Sequence, residues 1–170
     1  MENIDHGDYD FSSLAVILNN SSNISLSNPN IKIIKVSLLN GNFLKETFWK
    51  IFYLPKIAKK YDIVFCPGAT YPGRKVRYIS MPQNMLIFEK KEQNRFPFGV
   101  TKIRYKILNI LQKKSLLNSI ANIYLSNYAK NYIQDSLPEL KKKNSKVIYH
   151  GIINDLFKKP SIQFPINTYN

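Results

Sequence analysis

The chain has 170 residues, with 25 lysines and arginines against 11 acids and a formal charge of +14. A hydrophobic share of 44% excludes a disordered polypeptide, and the length suits one domain with a real core. No run approaches the ~18 uncharged apolar residues of a membrane-crossing helix. The opening Met1-Glu-Asn-Ile-Asp-His-Gly7 has neither the basic nor the apolar region of a secretory leader.

Residues 1–12 are predicted to lack order, and His6 within them gets no role. Leu14-Ala-Val-Ile-Leu18 is a short apolar run closed by Asn19-Asn-Ser-Ser-Asn23, hence a strand and a loop. The β-branched Ile31-Lys-Ile-Ile-Lys-Val-Ser37 follows Asn28-Pro-Asn30 and reads as a second strand before the Asn40-Gly41 turn. Residues 43–60 carry apolar groups all round, which fits a helix bent or restarted at Pro55. Ile63-Val-Phe-Cys66 lacks alternation, as expected of a strand buried on both faces. Arg77-Tyr-Ile-Ser-Met81 suggests another.

From Val100 to Ile120 the period turns helical. Ile103, Ile107, Ile110, Leu111 and Leu117 form one stripe, with Lys102, Lys106 and Lys113 elsewhere. Asn122-Ile-Tyr-Leu125 is a strand, and Ser126 caps a helix that ends at Pro138. Lys146-Val-Ile-Tyr149 is the last strand, broken by His150-Gly151. Strands alternating with helices predict an α/β fold: a Rossmann-like, mostly parallel sheet with helices on both faces. The domain is expected over residues 13–157, and 158–170, with Pro160 and Pro165, reads as a linker.

The charge predicts an anionic partner, whether nucleic acid, an anionic membrane or a phosphorylated ligand. Lysine is abundant together with asparagine and isoleucine, however, a pattern that AT-rich coding also produces. The lone Cys66 lies inside an apolar run and reads as a buried thiol, consistent with a cytoplasmic protein. With two histidines, one cysteine and scattered carboxylates, no metal site is expected. Asp8-Tyr9-Asp10 mimics a metal-binding Asp-x-Asp but lacks the apolar strand that should precede it.

Three breaks fall at strand ends: Pro67-Gly-Ala-Thr70, Ser126-Asn127 and His150-Gly151. In a parallel sheet these share one edge, beside helix amino ends whose free N–H groups suit anions. Gln83, Asn84 and Arg95 are placed to line the same cleft. Each break also reads as an ordinary strand-to-helix turn. Arg95 is equally a surface salt bridge, His150 a structural histidine, and Tyr71 and Tyr128 packing residues.

Asp62-Ile-Val-Phe-Cys-Pro-Gly-Ala-Thr-Tyr71, Gln83-Asn-Met-Leu86 with Phe88-Glu89 and Arg95, Leu125-Ser-Asn-Tyr-Ala-Lys130 and Val147-Ile-Tyr-His-Gly-Ile152 occur in this order. Together they resemble the amino-terminal domain of a family 4 glycosyltransferase of GT-B architecture, over roughly residues 14–160. The resemblance implies transfer of a sugar from a nucleotide-sugar, with retention and without a required metal, to a glycan or lipid-linked acceptor in cell-surface polysaccharide synthesis. It implies a cleft wall built from Gly68, Thr70, Asn84, Glu89, Arg95, Ser126, His150 and Gly151, and it assigns no catalytic residue here. The nucleotide-sugar is a co-substrate rather than a resident cofactor.

The family's second domain, with its paired glutamates, is absent from this sequence, as are the usual first strand and glycine-rich loop. Ala69 stands where a second glycine is common, and Ile87 where proline is. The chain is therefore expected to be a fragment, inactive alone: a truncated gene product, a decayed and non-catalytic copy, or one half of a split enzyme that works with a second-domain polypeptide in trans. Losing an interior strand should leave two sheet edges without partners and make the chain depend on another. Trp49-Lys-Ile-Phe-Tyr-Leu54 and the basic 102–114 helix are candidates for contact with an anionic membrane at its inner face, or else for core packing. Nucleic acid is the disfavoured partner: no RNP-type strand, zinc ligands or helix-turn-helix is evident.

Overall fold

A computed structural model describes residues 12–24, 31–40, 43–95 and 99–151. The expectations for residues 1–11, including His6 and Asp8-Tyr9-Asp10, and for the 158–170 linker lie outside these.

β1 (Leu14–Asn19) and β2 (Ile31–Val36) pair in parallel, from Leu14 opposite Ile31 to Asn19 opposite Val36. α1 (Phe43–Phe52) and α2 (Leu54–Ala58) follow. The restart falls where Pro55 predicted it, because in the first turn of a helix the missing proline N–H has no intrahelical partner to lose. β3 (Val64–Pro67), β4 (Tyr78–Met81), β5 (Ala121–Tyr124) and β6 (Ser145–Val147) form a second sheet in that order, every pair parallel. Between β4 and β5 lie α3 (Lys90–Gln93) and α4 (Val100–Asn118); α5 (Asn127–Ser136) joins β5 to β6. The fold is α/β and Rossmann-like, with its strands where the apolar runs put them. The sheet itself is interrupted, since β1 and β3 do not pair.

Residues two apart on a strand share a face. Register aligns Val64 and Cys66 with Tyr78 and Ser80, and Ser80 with Asn122. This face meets α4 through hydrogen bonds. The Tyr78 hydroxyl donates to the Ser115 carbonyl at 2.7 Å, and the Ser80 and Ser115 hydroxyls lie 3.3 Å apart. Asn122 Nδ2 donates to the Leu116 carbonyl at 3.3 Å. α1 and α2 bring Trp49 and Leu54 against Cys66 and Tyr78, while Leu116, Ile133 and Leu140 enclose Tyr124. The opposite face, with Phe65, Ile79 and Ile123, is only partly buried among the described residues.

Two local expectations are corrected. β3 is not buried on both faces: Cys66 is buried but Phe65 is 44% exposed, as an edge strand allows. The α4 stripe is also displaced. Ile103, Ile107 and Ile110 are exposed, and the buried positions are Gln112, Ser115 and Leu116. Small and polar residues let α4 approach the sheet closely and satisfy its polar groups there, so the isoleucines turn outward.

Burial raises the Tyr124 phenol to about 12, and its hydroxyl has no partner among the described residues. The folded pKa exceeds the ordinary ~10, so this side chain's contribution is complete below pH ~10 and is lost as pH rises toward 12. Tyr124→Phe should therefore cost nothing at neutral pH, or stabilise by ~1 kcal/mol. It should also shift the alkaline unfolding midpoint upward, as followed by circular dichroism against pH. An unchanged alkaline midpoint would contradict the assignment.

Candidate functional site

Because β3 to β6 run parallel, their carboxyl ends share one edge. The chain leaves that edge at Gly68, at Gln83-Asn84, at Ser126 and at His150. Hydrogen bonds tie the exits together: Gly68 N–H to the Met81 carbonyl at 2.8 Å, Ile148 N–H to the Tyr124 carbonyl at 2.9 Å, and Asn127 Nδ2 to the Tyr149 hydroxyl at 3.0 Å. The three turns singled out in the sequence thus lie along one rim.

Gly68 sits at φ +83, in the left-handed region, where glycine carries no steric penalty. A Cβ there would meet nothing within 4 Å, so the backbone angle rather than crowding calls for glycine. Ala69 follows at φ +50 and is fully buried, a conformation that costs an alanine on the order of 1 kcal/mol. Gln112 of α4 holds this turn, donating from Nε2 to the Gly68 carbonyl at 2.8 Å. The Thr70 hydroxyl is bonded to Lys50 Nζ, which also pairs with Glu46.

Several predicted cleft residues have local partners. Asn84 caps the short turn Met85–Ile87, its Oδ1 accepting from the Leu86 N–H at 3.0 Å. Ser126 caps α5 as expected, accepting from the Ala129 N–H at 3.1 Å. Arg95 is largely exposed and pairs with Glu92 at 2.8 Å, the salt-bridge alternative to an anion contact. His150 and Gly151 are exposed at the end of the rim.

Glu89 is differently placed. It accepts a hydrogen bond from the Tyr128 hydroxyl at 2.9 Å, and this bond, first among the causes, raises the tyrosine pKa. Both residues line a groove of ≈ 1170 Å³ with walls from α4 and α5. Four lysines, among them Lys102 and Lys106, and three carboxylates face it, with Phe88 and Tyr132 supplying apolar surface. Of the eight cleft residues inferred from sequence, Glu89 alone lines this groove. Gly68 and Thr70 lie at the β3 exit instead.

Tyr71 is packing, as read from sequence, but Tyr128 is 60% exposed and borders the groove. Sequence reasoning also missed Gln112 and Lys50, whose contacts with Gly68 and Thr70 span 44 and 20 residues of chain. The one available signal was a glutamine among helix positions otherwise spaced as a core face.

A groove with a carboxylate–phenol pair and lysines at its wall can accept hydroxyls through Glu89 and hold anionic groups through the amines. Among the described residues no three histidines, cysteines, aspartates or glutamates gather as a metal site. No helix among them is long and apolar enough to cross a membrane. Comparisons with protein-family models, with curated proteins and with solved structures found no match.

Proposed function

We propose that this chain is the acceptor-side domain of a retaining glycosyltransferase of cell-surface polysaccharide synthesis. In this reading it shapes the acceptor side of the cleft and transfers no sugar without a nucleotide-sugar-binding domain. The observation that carries the reading is the juxtaposition of the rim with the groove. Strand exits at Gly68, Asn84, Ser126 and His150 line one edge, and the Glu89–Tyr128 pair beside them opens into a space sized for a sugar or its carrier. Glu89 orients acceptor hydroxyls, and Lys102 and Lys106 attract a phosphate-linked carrier.

A membrane site fits the same reading. Ile103, Ile107 and Ile110 are exposed on α4 beside exposed Arg104, Lys106 and Lys114. α1 exposes Leu44, Phe48 and Phe52. Apolar side chains flanked by cations are the composition of an interfacial helix at an anionic surface.

The test is titration of the full chain with a polyprenyl-phosphate-linked glycan in detergent, followed by incubation with nucleotide-sugars. Binding that Glu89→Gln weakens, without turnover, is the expected result. Sugar transfer by the chain alone, or salt-sensitive binding to single-stranded nucleic acid with none to the glycan, would overturn the proposal.

A further inference from the structure

β4, β5 and β6 are parallel, so α4 and α5 each carry the chain from the rim back to the amino-terminal edge of the sheet. Both helices therefore run in the same direction, and the groove they wall follows their length. Glu89 and Lys102 line it at the rim end, Lys113 and Ser136 at the far end. With a rise of 1.5 Å per residue, Lys102 and Lys113 stand about 16 Å apart along α4. The volume of ≈ 1170 Å³ exceeds the ~300–1,000 Å³ of a pocket for one small molecule.

The α4 wall is a stripe of cations. Positions four, seven and eleven residues on from Lys102 share its helix face, and Lys106, Asn109 and Lys113 occupy them. Asn109 is engaged elsewhere, donating from Nδ2 to the Ile87 carbonyl at 2.6 Å. The three lysines pair with no carboxylate among the described residues. The carboxylates of the groove, by contrast, all have partners: Glu89 the Tyr128 hydroxyl, Glu92 the Arg95 guanidinium and Asp135 the Lys141 amine at 2.9 Å. Arg95 and Lys141 do not line the groove, so its acids are offset from outside and its amines are left uncompensated. On the opposite wall Tyr128 and Tyr132 lie one turn apart on α5, with ring centroids separated by 5.8 Å.

Side chains on a helix lean together toward its amino end, so the amines keep the spacing of the backbone. Lys106 and Lys113, about 10 Å apart along the axis, therefore serve two anionic groups rather than one. We infer, resting on the acceptor-side reading, that the acceptor is itself an acidic oligosaccharide lying along α4 and α5. Its growing end sits at Glu89, one anionic group is met by Lys102 and Lys106, and a second, on a sugar unit further along, is held by Lys113. Each group is a carboxylate or a phosphodiester, either of which an ammonium binds through charge-assisted hydrogen bonds.

A tyrosine wall suits the apolar face of a sugar ring or a nucleobase alike. The carboxylates favour the sugar. Glu89, Glu92 and Asp135 can accept the hydroxyls of a glycan. A nucleic-acid strand, charged at every link, would instead be repelled by all three.

The experiment is calorimetric titration of the full chain at low salt, with no nucleotide-sugar present. The probes are hexagalacturonate, a glycerol-phosphate hexamer, neutral maltohexaose and a thymidylate octamer. At least one acidic hexamer should bind roughly tenfold more tightly than maltohexaose and weaken as salt is added; which one does so identifies the anionic group. Lys113→Gln should weaken that hexamer about tenfold, the loss of one charged hydrogen bond. The same change should leave the corresponding dimer, too short to reach Lys113 from Glu89, unaffected. Lys102→Gln should weaken both. Lys113→Arg keeps the charge and should keep the affinity, and because Lys113 bonds no other described residue, neither variant should move the thermal midpoint. Equal affinity for maltohexaose, or an equal effect of Lys113→Gln on dimer and hexamer, would overturn the inference and leave the acceptor-side reading standing. Binding of the thymidylate octamer with no oligosaccharide bound would remove both.

Discussion

Tyr78→Ala should destabilise the chain by roughly 3–5 kcal/mol, the range for deleting a large buried aromatic. Tyr78 is fully buried on β4 and joins elements that are otherwise far apart in sequence. Its ring meets Tyr71 edge-on at 4.9 Å between centroids, and its hydroxyl reaches the Ser115 carbonyl on α4. Alanine would leave a cavity between sheet and helix and remove that bond. Domains of this size have about 5–15 kcal/mol in total, so the variant should be partly unfolded at ambient temperature. Tyr78→Phe keeps the ring and loses one hydrogen bond, about 1 kcal/mol. Urea unfolding followed by the fluorescence of buried Trp49, the sole tryptophan, measures both. If alanine costs no more than phenylalanine, the packing described here is wrong.

The double change Ile103→Glu with Ile107→Glu should lower affinity for anionic vesicles 10- to 100-fold while leaving the fold intact. Both isoleucines are exposed, so their removal opens no cavity. At a membrane each would bury further apolar area, worth on the order of 1 kcal/mol at ~25 cal/mol per Å². A glutamate forfeits that gain and is repelled by the negative surface. Co-sedimentation with phosphatidylglycerol-rich vesicles, against neutral phosphatidylcholine ones, provides the measurement. The wild-type chain should bind the anionic set and release with salt. Equal binding by variant and wild type would remove α4 from any membrane contact.

These two substitutions sit on the same alternation of strand and helix, and their contrast shows what was legible beforehand. The runs at 14–18, 31–37, 63–66, 77–81 and 122–125 all became strands, because β-branched and aromatic residues between turn signals leave few alternatives. Ser126 was legible as a cap, since capping is a contact three residues long. The rim followed too, because parallel strands must end on one edge.

What could not be read was orientation. In α4 the isoleucine period predicted the buried face, yet Gln112, Ser115 and Leu116 occupy it. A helix presents more than one face, and close approach to hydrogen-bonding strand residues outweighed the apolar stripe. Arg95 illustrates the same limit, as its nearest carboxylate, three residues back, took it as a partner.

The order of the strands and of the longer helices, and the turn at Gly68, were determined by sequence, through local backbone preferences that act within a few residues. Only tertiary structure decided that Glu89 meets Tyr128, that Gln112 secures the Gly68 turn, and that the sheet divides between β1 and β3. Those outcomes depend on groups tens of residues apart competing for the same hydrogen bonds and the same buried space, a contest that no local period records.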